Sequence, residues 1–553
     1  MQIVLKLEPR SNEITIDIEE NTTIIQLIEK FKEQLPYTIL AAKRNNELVE
    51  LNTALINPCK VELLDMRTQA ANLIYQYSLC LIYLKAVEDV LGKVTVEIQN
   101  SINKGIYTMI KKRELITNEE VLAIDNRMRE IVKADIPYIK QVIDINEATE
   151  ALLYSEFFQK LKLLQANPKV KTVKAYSLDG YKDFFYGLMV PSTGYIQHFE
   201  LKKYRKGVLL RFPHPNNPNV IPEFIDESKM YAAFGEATLW GRLMEVSYVT
   251  DLNEKVRNGQ YKELIQLSEA LHEKRIAEIA DLITKQRKRI ILIAGPSSSG
   301  KTTFAKRLLI QLKVNGLKPL YMGTDDYFVE REDTALDEHG KPNFEDISAI
   351  DIKLFNSNMN DLLAGKDVDL PVFDFMTGHK RFGERITSIG SEQPIIIEGI
   401  HALNQELTPY MEEYQKFKIY ISPLTQLNID EHNRIPTTDA RMLRRMVRDY
   451  KFRGNSAKRT IDGWKSVRDG EDRNIFPYSN EADVFFNSVH LYELAVLKKY
   501  AEPLLKAITK DEPEYCEAVR LLKFLNFFEA IEDDSMIANN SILREFIGGS
   551  IFV

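Results

Sequence analysis

Ile290-Ile-Leu-Ile-Ala294 runs without a break into Gly295-Pro296-Ser297-Ser298-Ser299-Gly300-Lys301-Thr302-Thr303, and this stretch decides the fold of the region around it. An unbroken apolar run with no polar alternation predicts a strand buried on both faces, as in a parallel sheet. The residues after it have Gly-x4-Gly-Lys-Thr spacing, and FAKRLLIQLKVNG beyond them has helical periodicity that closes on Gly316. Strand, glycine-rich loop and helix in that order form a cradle for phosphate. Glycines let backbone N–H groups face the anion, and the helix N-terminus adds partial positive charge. Gly295 to Thr303 are therefore the expected nucleotide-binding residues. Lys301 is expected to reach the β- and γ-phosphates, and the Thr302 hydroxyl to ligate Mg2+.

Working outward, LKPLYMGT predicts a second strand, ending at Asp325 and Asp326 in GTDDYF. A carboxylate at the carboxyl end of a strand beside a phosphate loop can accept the proton of an attacking hydroxyl. PIIIEGIHALN is a further apolar strand, and its Glu398 has the position of a carboxylate that helps hold Mg2+. Farther on, Arg441, Arg444 and Arg448 stand at i, i+3 and i+7, which predicts one helical face of guanidinium groups able to close over transferring phosphoryl oxygens.

Together these segments resemble the uridine kinase and phosphoribulokinase family of P-loop kinases. Arg441-Met-Leu-Arg444-Arg445-Met-Val-Arg448-Asp449-Tyr-Lys-Phe-Arg453-Gly454 is similar, residue by residue, to that family's RxxRRxxRDxxxRG lid helix. The resemblance spans about residues 287–500. It implies a parallel α/β sheet flanked by helices and ATP-dependent phosphorylation of a hydroxyl, most directly the ribose 5′-hydroxyl of uridine or a related nucleoside. By motif, Asp325 is the implied general base and lies near Mg2+ with Thr302 and Glu398, Asp326 being the rival by one residue. Lys301, Arg444 and Arg448 are the implied catalytic cations, with Arg441 and Arg453 on the acceptor side. The family's uridine kinases hold their acceptor with a Tyr-Asp-Phe segment and a nearby histidine. Here Phe373-Asp374-Phe375 and His379 stand in those places, with Phe for Tyr and the histidine one residue farther on, departures that bear on base selectivity.

The rest of the chain divides by pattern. Residues 1–65 read strand, strand, helix, strand, strand, an order that resembles the β-grasp TGS domain at the front of threonyl-tRNA synthetases. Residues 66–225 begin with a long amphipathic helix, Arg67–Leu91, followed by VTVEIQ and GIYTMI strands, and resemble the second additional domain of those synthetases. That domain builds a zinc site on an HxxxH helix. The corresponding helix here carries Tyr75, Gln76, Tyr77 and Leu79, and the first histidine of the chain is His198, so no catalytic zinc is expected. Residues 226–286 read as a helical bridge and 501–553 as C-terminal helices with a packing role. The whole order resembles bacterial fusion proteins of the uridine kinase family.

Composition narrows the function classes. The 553 residues carry 73 Lys+Arg against 80 Asp+Glu, a net charge of -7 that offers no bulk attraction to nucleic acid. RNA binding by the front half stays open without support from charge. Lys285, Arg287, Lys288 and Arg289 are read as a solvated helix end. The 3 cysteines lack metal or disulfide spacing, which fits a reducing cytoplasm, and no apolar run is long enough to span a membrane. A homo-oligomer is compatible with all of this. The expected protein is thus a Mg·ATP-dependent nucleoside kinase. The rivals are a kinase for another small hydroxylated metabolite and an RNA- or ribosome-associated nucleotide switch.

Overall fold

Five parallel strands form the central sheet of the C-terminal half, in the spatial order Leu320–Gly323, Ile395–Glu398, Ile290–Ala294, Lys416–Ser422, Val484–Asn487. The structure is a computed structural model that describes residues 1–9, 11–112, 114–166, 170–336, 340, 342–374, 376–425 and 427–553. The unbroken apolar runs are explained by their place: Ile290–Ala294 is the middle strand, and all its residues are buried. The phosphate-loop helix, Lys301–Val314, packs against the long helix Tyr261–Lys285, where the buried Arg307 pairs with Glu273 at 2.6 Å.

Residues 226–286 and 501–553 do not stand apart from this sheet. Leu264, Ile276 and Ile283 of the preceding helices and Leu521, Ile542 and Phe546 of the C-terminal segment belong to the same buried cluster as Ile291, Phe304 and Phe417. A helix with one apolar face must bury it, and here the sheet supplies the partner.

Residues 1–65 form a five-stranded mixed sheet in the order Ile14–Asp17, Gln2–Lys6, Lys60–Asp65, Ile39–Arg44, Glu47–Val49, with one helix, Ile24–Lys30. Ile39–Arg44 and Glu47–Val49, where the expected order has a single strand after the helix, form a hairpin turning at Asn45 and Asn46, which take the left-handed φ values 48° and 63° that asparagine tolerates. The helix expected over Arg67–Leu91 spans Gln69–Leu91, and its residues Ser78 to Leu84 are buried in succession, on every side of the axis. It is therefore a central helix, not an amphipathic one. The hairpin Thr95–Ile102/Gly105–Lys111 follows as expected.

The two halves meet on the segment between the strand Lys416–Ser422 and the arginine helix Thr437–Phe452. The Ile98 N–H donates to the Glu431 carbonyl at 2.9 Å, and Asp183, Lys160 and His432 form a buried cluster, with His432 Nδ1 2.6 Å from Asp183. Burial opposes ionisation of Asp183, but Lys160 and His432 more than offset it and hold the carboxyl down at about 2. Among the described residues no helix is long and apolar enough to cross a membrane.

Candidate active site

Register aligns Gly323 and Ile293 with Glu398, so the turn carrying Asp325, the Glu398 carboxylate and the phosphate loop leave the sheet side by side. They lie beyond the carboxyl ends of the strands, where open parallel sheets bind ligands. The loop is shaped by close approach. A Cβ on Gly295 would sit 2.0 Å from the Ile421 carbonyl oxygen, and one on Gly300, at φ +86°, 2.4 Å from Ile542 Cγ2. Only glycine fits either position.

Lys301 Nζ donates to the Pro296 carbonyl at 3.3 Å, the Thr302 hydroxyl to Glu398 Oε2 at 3.4 Å, and the Tyr321 hydroxyl to the same oxygen at 3.1 Å. Burial holds the Glu398 carboxyl up at about 7, against the pull of Lys301 and with a push from Asp325.

Asp325 and Asp326 differ sharply in their partners. Asp326 accepts from Arg385 at 2.7 Å and from the Phe373 N–H at 3.4 Å. Asp325 has no hydrogen-bond partner among the described residues. Its side chain is exposed, though protein surrounds the turn that carries it. Poor solvation there raises its carboxyl above the usual range, opposed by Lys301 and reinforced by Asp326, with Arg453 and Arg448 pulling it back.

The arginine helix departs from the expected face. Arg441 and Arg444 are buried, at 1% and 0% exposure, and do not point into the cleft. Arg441 donates to the Ser297 carbonyl at 3.1 Å and pairs with Glu471, which also accepts from the Ser297 N–H at 3.0 Å. Arg444 spans Glu493, at 2.6 Å, and the carbonyls of Ser488 and Ser298, at 2.8 and 3.3 Å. Both guanidinium groups strap the phosphate loop from beneath, because the helix packs on the loop through the side that carries them. The structure thus places Arg444 and Arg441 against the phosphate loop, not on the open face expected of them.

The cleft side is left to Arg445, Arg448 and Arg453. All three reach one buried carboxylate, Asp449, at 3.3, 2.9 and 3.6 Å, and Arg445 also donates to the Ser297 hydroxyl at 2.8 Å. Three cations on one anion leave net positive charge beside the loop. A clean contrast follows. Arg444→Ala leaves Glu493 buried without its cation and is expected to cost about 3–5 kcal/mol of stability. Arg448→Ala is expected to slow turnover with the unfolding midpoint little changed. Denaturant unfolding and steady-state kinetics on both variants check this, and equal stability of the two would contradict it.

On the acceptor side, Val372–Asp374 pairs with His379–Arg381 in a short hairpin. Asp374 accepts from the N–H groups of Met376 and Thr377 at 2.9 and 3.2 Å, which hold its carboxyl below the usual range and make it the cap of its own turn. His379 is exposed and lies 2.7 Å from Glu330. Phe373 is buried, and Phe375 lies outside the described residues.

Several residues of the site escape the sequence. Glu345 is held up at about 7 by burial and by Glu471, while Arg445, Lys301 and Asp325 also act on it. Arg445 could have been found, since it follows Arg441 at i+4 inside the quoted arginine run. Glu345, Glu471, Glu493 and Tyr321 carry no local signal, because only the fold brings them to the loop.

Comparison with known proteins agrees with this geometry. The Phosphoribulokinase / Uridine kinase family matches residues 290–495. A uridine kinase of Ligilactobacillus salivarius is 30% identical over 205 residues, 37% of this chain and 87% of that protein. One of Macrococcus caseolyticus is 32% identical over 197 residues, 35% and 85% of the two chains. The solved structure of a possible uridine kinase from Bacillus stearothermophilus covers 38% of this chain and 97% of its own at 21% identity, with a TM-score of 0.27. A family match that spans the strands assembling the phosphate loop, with 30–32% identity across 85–87% of the length of the curated relatives, places the chain in the phosphoribulokinase/uridine kinase family as an ATP-dependent kinase.

Proposed function

We propose that this kinase transfers the γ-phosphoryl group of Mg·ATP to the ribose 5′-hydroxyl of a nucleoside, uridine or a close relative. The observation that carries the reading is the pair of aspartates. Asp326 is spent on Arg385, whereas Asp325 has no hydrogen-bond partner among the described residues and lies near Lys301. A carboxyl whose proton affinity is raised above the usual range suits a base for an alcohol proton. The likeness to uridine kinases over 85–87% of their length supports a nucleoside as the acceptor.

In this reading Asp325 accepts the hydroxyl proton, Lys301 binds the phosphates, and Arg445, Arg448 and Arg453 spread positive charge over the transferring group. Thr302 and Glu398 would hold Mg2+, with Asp325 beside them. A buried carboxylate whose hydrogen-bond partners among the described residues are two hydroxyl groups fits a divalent cation. When bound, that ion neutralises charge on the β- and γ-phosphates. One oxygen of Asp374 caps its turn, and the other is available to an acceptor hydroxyl.

The front half is read as a TGS-like β-grasp domain over 1–65 and a synthetase-like region over 66–225, serving as a binding, regulatory or assembly module. The strand order of the first sheet and the buried long helix with its hairpin support that reading.

ATP consumption by the full chain, with uridine, other nucleosides, other small hydroxylated metabolites, RNA, or no acceptor, tests the proposal. Turnover that depends on a nucleoside is the expected result. Turnover only with another metabolite would replace the acceptor, and hydrolysis stimulated by RNA alone would favour the switch.

A further inference from the structure

The phosphate loop is braced by a part of the chain that lies beyond the family match, which ends at residue 495. Ile542 fills the space left by the missing Cβ of Gly300. The Thr303 hydroxyl donates to Glu545 Oε2 at 2.7 Å, and the Thr303 N–H to the same oxygen at 3.3 Å. Phe546 lies 5.0 Å beneath the Arg444 guanidinium, whose other contacts include the Ser298 carbonyl. Lys451 of the arginine helix donates to the Ile547 carbonyl at 2.5 Å. Ile542, Leu543, Phe546 and Ile547 are all buried, so this contact is part of the core and not a loose tail.

We propose that residues 541–548 are part of the nucleotide site, and that Glu545 is a positioning residue that fixes the first turn of the phosphate-loop helix through Thr303. The first turn of a helix has N–H donors with no partner inside the helix, and a carboxylate there is favoured by the helix dipole. Glu545 takes up the donor on the core side: Thr303 is fully buried, whereas its neighbours Lys301 and Thr302 are half-buried at the cleft. One face of the turn is thereby locked, while the cleft-facing donors keep their aim. A site that must hold phosphate gains affinity when its donors are already in place.

The inference rests on ATP binding at this loop and is independent of the acceptor. Equilibrium ATP binding and steady-state kinetics on the full chain test it. Glu545→Ala is expected to weaken ATP binding about tenfold, the scale of a lost hydrogen bond to a charged group, with kcat changed much less. Glu545→Gln keeps an acceptor oxygen for the Thr303 hydroxyl and should restore binding to within about threefold of the parent. Thr303→Val should add little in the Glu545→Ala background, because both remove the same contact. Should the alanine variant not fold, Glu545→Asp, one methylene shorter with the charge retained, carries the test through the same loss of binding. Unchanged binding in a folded variant would overturn the proposal, and so would full additivity. Tighter binding would overturn it as well, since it would mean that the carboxylate stands in the place of a phosphate. If Lys301→Ala also left ATP binding intact, the fault would lie with the nucleotide reading of the loop instead.

Discussion

Lys301→Ala is expected to lower phosphoryl transfer by about three orders of magnitude or more, with the unfolding midpoint nearly unchanged. Among the described residues the ammonium makes one hydrogen bond, to the Pro296 carbonyl at 3.3 Å, and none to a buried carboxylate. Its electrostatic influence nonetheless reaches Asp325, Glu398 and Glu345, each of which would otherwise be held still higher. Removing it strips charge from the place where charge moves during transfer, and it also makes three carboxylates harder to ionise. Acceptor-dependent ATP consumption, read together with thermal unfolding, checks both halves of the expectation. Near-parental turnover in a folded variant would take the loop out of the mechanism.

Asp325→Asn should reduce kcat by about a hundredfold to ten-thousandfold, with ATP affinity altered far less, because the carboxylate serves the acceptor. The paired variant Asp326→Asn separates base from scaffold. Asp326 holds Arg385 at 2.7 Å and the hairpin through the Phe373 N–H, so its loss should be felt in stability and acceptor KM more than in kcat. An essential Asp326 with a dispensable Asp325 would move the base by one residue. Kinetics with both substrates varied, together with denaturant unfolding of each variant, distinguish these outcomes.

The arginine run shows where sequence spacing reaches its limit. Arg441, Arg444 and Arg448 share a helical face, and that much follows from the helical period. Which residues of that face reach the cleft depends on the carboxylates that each meets along the helix axis. The contacts of Arg441 and Arg444 with Glu471 and Glu493, 30 and 49 residues away, turn them inward, leaving Arg445 and Arg448 for the cleft. The hairpin at Asn45-Asn46 is a smaller case of the same kind, in which turn chemistry was present in the letters but was outweighed by the apolar residues around it.

What the sequence by itself determined is local and periodic. It located the phosphate loop, because strand, glycines, lysine and helix are contiguous; it located the strand ending in Glu398; and it named the aspartate pair. These features depend on neighbours a few residues away, where backbone geometry permits few alternatives. Tertiary structure alone decided which aspartate is engaged in an ion pair, since Arg385 reaches Asp326 from 59 residues off. It also decided that the helices at 226–286 and the C-terminal segment belong to the kinase core, and that Glu545 comes to lie against Thr303 from 242 residues away. Burial and ion pairing between distant segments depend on which surfaces meet, and no short window of sequence contains both partners.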